Sequence, residues 1–201
     1  MPISNSALIS IDMQNDFVLP DGTMCTEGAL EMVPALSTLI EKYRQQKRPI
    51  VHVVRLYNQD GSNADMCRRA RLQNGESLVI PESYGAQIVD GLLPDYIGMD
   101  CELLLEEGVQ FISEKEIILY KPRWSAFFQT DLHYILQEWS VNTLAIAGTW
   151  FFNCVHQTIY DGSSYDYHTI AVRDCIAGLD AKGCEGLKRV ECEVVASKEL
   201  R

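Results

Sequence analysis

Apolar runs of strand length alternate with amphipathic stretches along this chain. The first run, residues 7–11, is followed by apolar residues at 3.6-residue spacing between Leu30 and Tyr43, which predicts a helix. Five further runs predict strands at residues 50–54, 117–120, 143–147, 168–172 and 192–195. Strands that alternate with helices form a parallel sheet covered by helices on both faces. The pattern therefore predicts a single α/β domain over residues 1–201, a three-layer α/β/α structure with a mostly parallel six-stranded sheet and Rossmann-like topology.

Two more helices and one long loop complete this pattern. Apolar residues between Leu132 and Trp139 predict a helix that Thr130 caps, and another helix is predicted at about residues 152–165. Residues 56–85 show no clear period and contain three glycines and Pro81. Loops of this length are often functional. We therefore expect residues 56–85 to form a long loop over the edge of the sheet.

The composition is that of a folded protein that binds neither nucleic acid nor membranes. Hydrophobic residues make up 47% of the chain and charged residues 22%, and the formal net charge is −11. Nucleic acids and anionic membranes attract basic proteins, so the acidic excess argues against both partners. No apolar stretch approaches the ~18 residues of a transmembrane helix. The remaining partner class is a small molecule.

Cysteine and histidine usage argues against a metal site. The seven cysteines form no C-x-x-C pair, and none of the four histidines has metal-ligand spacing. We therefore predict no metal and no other cofactor. No secretory signal is visible, and the free thiols indicate a reducing compartment, so a cytoplasmic location is predicted.

Three reactive side chains follow predicted strands directly. Asp12 and Lys121 come at the ends of two strands, and Cys154 lies just beyond a third. The carboxyl ends of parallel strands share one edge of a sheet, so these side chains are expected to converge. Cys154 would be a nucleophile whose thiolate the helix dipole and Lys121 favour, with Asp12 as the proton acceptor. The competing interpretation is a small buried cysteine with no catalytic role.

These stretches also resemble a known family. ALISIDMQNDF (7–17), YKPRWSAFFQTDL (120–132) and residues 143–178 are similar to the isochorismatase-like cysteine hydrolases, which include nicotinamidases. The resemblance implies the same triad of Asp12, Lys121 and Cys154. It also implies a cis peptide before Trp150, an oxyanion hole formed by the N–H groups of Trp150 and Cys154, and a homo-oligomer, either a dimer or a tetramer.

Departures from the family pattern limit what the resemblance implies about the substrate. The histidines that hold the metal in metal-binding nicotinamidases are absent after His52, which makes nicotinamide a poor prediction. Phe151 stands where the family has a small threonine. The predicted reaction is hydrolysis of a small non-peptide amide, ureide or related C–N bond through a thioester. The alternatives are an isochorismatase-type ether hydrolase and a non-catalytic small-metabolite-binding protein of the same fold.

Aromatic and basic residues are predicted to form the substrate pocket. One of the loop arginines is expected to face the pocket and bind a carboxylate of the substrate, since adjacent residues point apart. The tyrosines at positions 160, 165 and 167 are candidates for a subunit interface, or for packing within the subunit. The predicted substrate-binding residues are Phe17, Tyr57, Arg68, Arg69, Trp124 and Phe151, with Trp150 as a further part of the wall.

Overall fold

The computed structural model describes residues 5–200, and its centre is a seven-stranded sheet. The strands are β1 (Ser6–Ile11), β2 (Ile50–Val54), β3 (Val109–Ser113), β4 (Glu116–Tyr120), β5 (Thr143–Gly148), β6 (His168–Ile176) and β7 (Glu193–Val195). Their order is β3-β4-β2-β1-β5-β6-β7, and every neighbouring pair is parallel except β3 with β4. The prediction of a mostly parallel sheet is confirmed. The strand that was not predicted, β3, is a half-exposed edge strand without a buried apolar run.

Seven α-helices surround this sheet in the described part of the chain. They are α1 (Asn15–Val18), α2 (Ala29–Gln45), α3 (Met66–Gln73), α4 (Cys101–Glu107), α5 (Leu132–Glu138), α6 (His156–Ser164) and α7 (Ala181–Lys188). The three predicted helices are present, but Asp131 rather than Thr130 lies at the N-cap of α5. The stretch predicted as one long loop contains α3, which buries only Leu72 and so shows little apolar periodicity. Within residues 5–200, no helix has the length and apolar character required to cross a bilayer.

Side chains of β1 alternate between two hydrophobic clusters. Leu8 packs in the cluster that includes α2, whereas Ile9 and Ile11 belong to the cluster that includes α5 and α6. Alternation of this kind follows from the period-2 geometry of a strand. Because helices cover both faces of the sheet, a ligand reaches the central strands only at their ends.

A buried carboxylate ties α2 to the sheet at the amino-terminal ends of β2 and β4. Glu116 of β4 accepts hydrogen bonds from Arg44 at 2.7 Å and binds the ring of His52 at 2.9 Å. Burial alone would raise the pKa of this carboxyl, but the hydrogen bonds of His52 and Arg44 lower the pKa to about 2. Glu116 is therefore an ionised, fully partnered group in the native fold.

Candidate active site

Three reactive side chains meet at the carboxyl edge of the sheet. Lys121 Nζ lies 2.9 Å from Asp12 Oδ2 and 3.3 Å from Cys154 Sγ. All three residues are buried. Asp12 directly follows β1, Lys121 directly follows β4, and Cys154 follows β5. The structure thus brings together the three side chains that the sequence analysis predicted to converge.

The backbone fixes Asp12 in a conformation that few residues adopt. Asp12 has a φ of 52°, in the left-handed region, and its N–H donates to Val53 of β2 at 2.8 Å. Thr149 holds the same turn from the other side, because its N–H donates to Ile11 at 2.9 Å and its hydroxyl donates to the Asp12 carbonyl at 3.2 Å. The ends of β1 and β5 are therefore locked together around the carboxylate.

Close contact between β1 and β5 also requires a glycine. Gly148 has a φ of 122°, and a Cβ at this position would lie 2.1 Å from the carbonyl oxygen of Ile11. Any side chain would separate the two strands, so the approach of β5 to β1 depends on Gly148.

Cys154 lies in a π-helical turn, Phe151–Val155, that leads directly into α6. Its carbonyl accepts a hydrogen bond from the Thr158 hydroxyl at 2.7 Å. The peptide bond between Thr149 and Trp150 is cis, as the family resemblance implies. Among residues 5–200, no acceptor is paired with the N–H of Trp150. This unpaired N–H lies four residues before Cys154 in the sequence.

Burial disfavours ionisation of the Cys154 thiol. Burial is the largest cause that raises the pKa of the thiol to about 12, and the negative charge of Asp12 raises it further. The positive charges of Lys121 and Arg68 lower the pKa but offset only part of this effect. The predicted effect of Lys121, which favours the thiolate, is present, but burial acts on the pKa in the opposite direction and more strongly. A proton acceptor is needed to generate the nucleophile, and Asp12 Oδ1 is buried without a hydrogen-bond donor in the described chain.

A cavity of about 290 Å³ opens in front of Asp12 and Cys154, and Lys121 lies buried behind them. Three of the predicted pocket residues, Phe17, Arg68 and Trp150, line it. Residues that the sequence did not indicate complete the wall: Met24, Cys25, Thr26, Glu27 and Asn153, with Thr149 beside the cis peptide. Four of these come from the irregular segment between α1 and α2, which carries no periodic pattern. Asn153 could have been predicted to line the pocket, because it directly precedes Cys154 in the sequence.

Four residues predicted to line the pocket lie elsewhere. Phe151 is buried in the core, where its ring packs against Gly183 and His156. Trp124 lines a separate groove together with Phe128. Arg69 donates to the Ala64 carbonyl at 3.0 Å.

Tyr57 is the fourth of these residues, and it belongs to a buried network behind the pocket. Its hydroxyl donates to Asp65 Oδ2 at 2.7 Å and accepts a hydrogen bond from Arg68 at 3.0 Å. Arg55 donates to the same Asp65 oxygen at 2.6 Å and to the carbonyl of Lys121 at 2.9 Å. Sequence reasoning missed Arg55, although it directly follows β2 as the other site residues follow their strands. The network connects the backbone of Lys121 with the guanidinium of Arg68.

The described residues form no evident metal site. Among residues 5–200, no group of three or more histidine, cysteine, aspartate and glutamate side chains has the arrangement needed to hold an ion. The charged groups at the site are Asp12, Lys121, Arg68 and, at the exposed rim, Glu27.

The tyrosines proposed as interface anchors differ in exposure. Tyr167 is buried and hydrogen-bonds with His133 at 3.0 Å, so it packs within the subunit. Tyr165 is 46% exposed and stacks on Phe127 and His133. The homo-oligomer stays a prediction.

Comparison with known proteins gives one consistent result. The family profile of the isochorismatase domain matches residues 6–197. A probable inactive nicotinamidase of Arabidopsis thaliana is 32% identical over 84% of this chain and 78% of its own length. An N-carbamoylsarcosine amidase of an Arthrobacter species is 24% identical over 85% of this chain, which spans only 58% of that enzyme.

Solved structures show the same fold. An isochorismatase family protein from Desulfovibrio vulgaris superposes with a TM-score of 0.81 at 32% identity, over 96% of this chain and 95% of that one. The N-carbamoylsarcosine amidase of Thermoplasma acidophilum gives a TM-score of 0.77 at 24% identity, over 98% and 99% of the two chains. At that level of identity the second match establishes the architecture alone.

Proposed function

Because the chain belongs to the isochorismatase family, we propose that it is a cysteine hydrolase that cleaves a small non-peptide amide, ureide or related C–N bond. The observation that carries the proposal is the contact of Lys121 with both Asp12 and Cys154, two residues that line the pocket. A carboxylate, an ammonium and a thiol in contact are a base, a charge stabiliser and a nucleophile. Relatives named as amidases act on bonds of this kind.

In the first half of the reaction, Cys154 attacks the substrate carbonyl. As the S–C bond forms, the thiol proton passes to Asp12 Oδ1, and Lys121 Nζ stabilises the negative charge that develops on sulfur. The oxyanion of the tetrahedral intermediate accepts hydrogen bonds from the N–H groups of Trp150 and Cys154. The proton on Asp12 then moves to the leaving nitrogen, the C–N bond breaks, and an acyl thioester remains on Cys154.

The second half regenerates the enzyme. A water molecule gives a proton to Asp12 while the water oxygen attacks the thioester carbonyl. The N–H groups of Trp150 and Cys154 hold the second tetrahedral intermediate. The C–S bond breaks, the acid product leaves, and the proton returns to the sulfur of Cys154. Asp12 therefore acts as base and acid in turn, while Lys121 keeps its proton throughout.

The test is a screen of small amides, ureides and N-carbamoyl compounds for ammonia release, with a chelator present. For any substrate found, Cys154→Ala should abolish turnover and the covalent acyl adduct detected by mass spectrometry, with an unchanged circular dichroism spectrum. Cys67→Ala is the matched control, because Cys67 is an exposed thiol on α3 that does not line the pocket. Full activity of Cys154→Ala would show that the cysteine mechanism is wrong.

A non-catalytic small-metabolite-binding protein is the second candidate. It is favoured by the burial of Cys154, which raises the pKa of its thiol to about 12. The screen distinguishes the two functions when each compound is also tested for binding. A compound that binds to the protein with Cys154 intact and is not hydrolysed would support the binding protein, and turnover of that compound would exclude it.

A further inference from the structure

Arg68 brings a positive charge into the pocket, and no carboxylate of the described chain forms a direct ion pair with it. One of its guanidinium nitrogens, Nη1, donates to the Tyr57 hydroxyl at 3.0 Å. No Asp or Glu oxygen of residues 5–200 lies within 4.0 Å of the Arg68 guanidinium. The side chain lines the same cavity as Asp12 and Cys154.

The neighbouring carboxylate that could have paired with Arg68 is already engaged. Asp65 is bound by Arg55 at 2.6 Å and by the Tyr57 hydroxyl at 2.7 Å. The Tyr57 hydroxyl donates its hydrogen bond to Asp65, so the hydroxyl oxygen can accept a hydrogen bond from Arg68. Arg68 is thus positioned by a neutral group, and the remaining donors of its planar guanidinium are available to a ligand.

The carboxylates of the described chain near Arg68 act on its charge from a distance and make no direct contact with it. Asp12 pairs with Lys121 at 2.9 Å, and Glu27 is exposed to solvent, where water and ions screen its charge. Phe17, Met24 and Trp150 supply apolar wall. An unpaired cation beside an apolar wall attracts an anion more strongly than an exposed arginine does.

From this arrangement we infer that the pocket takes a substrate with a carboxylate at one end, bound by Arg68, and the scissile C–N bond at the other, against Cys154. The inference rests on the proposed function and names its substrate class. The guanidinium fork matches a carboxylate with two parallel hydrogen bonds. A cavity of about 290 Å³ lies at the small end of ligand sites, so the substrate is a short acid such as the monoamide or N-carbamoyl derivative of a small carboxylic acid.

Binding to the inactive Cys154→Ala protein tests the subsite without any turnover. The probes are malonamate, succinamate and glutaramate, each compared by calorimetry with its neutral diamide of the same shape. At least one acid should bind more tightly than its diamide, and Arg68→Gln in the same background should weaken that acid by about 10- to 100-fold. Arg68→Lys should recover part of the loss, because it keeps the charge and loses the fork.

Arg71→Gln is the matched control for these measurements. Arg71 lies on the same helix, pairs with Glu76 at 2.5 Å and is exposed, so its removal should leave the affinity for the acids unchanged. Tyr57→Phe should weaken the acids by a few-fold, since it removes the hydroxyl that positions Arg68. An equal loss in Arg71→Gln and Arg68→Gln would mean that the general charge of α3, and no specific subsite, attracts the acids.

Kinetics of the active protein provide the second readout. Arg68 also lowers the pKa of the Cys154 thiol, an effect that is the same for every substrate. We therefore compare kcat/KM for an acid with kcat/KM for its diamide, because the effect of Arg68 on the thiol cancels in this ratio. Arg68→Gln should lower the ratio by about 10- to 100-fold, mainly by raising KM for the acid.

The outcomes separate the subsite from the reaction. If no acid binds Cys154→Ala more tightly than its diamide, or if Arg68→Gln leaves that preference intact, the carboxylate subsite is wrong whatever the protein catalyses. If the acids bind through Arg68 and the active protein hydrolyses none of them or any other amide, the subsite stands and the proposed hydrolysis fails.

Discussion

Replacing Gly178 by alanine should damage both the pocket and the fold. Gly178 has a φ of 77°, and the indole of Trp150 lies against it. A Cβ at this position would lie 2.3 Å from Cζ3 and 2.5 Å from Cη2 of that ring. Trp150 lines the pocket and carries one of the proposed oxyanion donors, so the substitution acts on the site from outside it.

The size of the effect follows from two costs. Ordinary van der Waals contacts begin near 3.4 Å, so the ring has to retreat by about 1 Å from the new methyl group. A left-handed backbone conformation costs an alanine about 1–2 kcal/mol. Overpacking against the ring costs about 1–3 kcal/mol more, so we expect the free energy of unfolding to fall by about 2–5 kcal/mol in total. A displacement of about 1 Å at a reacting centre lowers kcat/KM by about 100-fold.

Urea denaturation measures the stability, and ammonia release from a substrate found in the screen measures the activity. Gly186→Ala is the control, since a Cβ there meets nothing within 4 Å and the residue lies inside α7. The free energy of unfolding of Gly186→Ala should rise by up to about 1 kcal/mol, and its activity should be unchanged. If Gly178→Ala is as stable and as active as Gly186→Ala, the argument from the Trp150 contact is refuted.

Three further predictions concern other parts of the molecule. Asp12→Asn should lower kcat by about 10²- to 10⁴-fold, because the amide cannot accept the thiol proton, while calorimetric affinity for the substrate changes little. Glu116, with a folded pKa of about 2 against an ordinary 4.5, contributes up to about 3 kcal/mol of stability above pH 4.5 that is lost as the pH falls towards 2. Urea titrations should therefore show Glu116→Gln less stable than wild type at pH 7 and a difference that shrinks at acid pH; a constant difference would contradict the assignment. Light scattering should give a mass above the 22.7 kDa of one chain, and a single species of that mass would exclude the oligomer.

The convergence of Asp12, Lys121 and Cys154 could be predicted because it depends on topology alone. Each follows a buried strand directly or by a few residues, and parallel strands place such residues along one edge. β3 escaped prediction because it is a half-exposed edge strand, paired antiparallel to β4. Its pattern resembles that of a loop, and only the pairing with β4 makes it a strand.

The walls of the pocket could not be predicted with the same success. Phe151 and Cys154 share a π-helical turn, whose period differs from the 3.6 residues assumed for a helix, so the side that Phe151 faces could not be assigned. Arg68 and Arg69 are adjacent, and which of them faces the pocket depends on the phase of α3. The raised pKa of the Cys154 thiol depends on burial, which no local sequence pattern reveals.

The candidate site draws its parts from β1, β4 and β5, which come from distant parts of the chain and assemble only in the complete central sheet. No fragment of the chain carries the pocket, so a ligand binds only the fully folded molecule. Its binding free energy is then added to the stability of the whole domain, about 2.7 kcal/mol at a ligand concentration of 100 Kd. The melting temperature of the protein can therefore serve as a detector for its substrate, because any compound that enters the pocket raises it before the reaction is known.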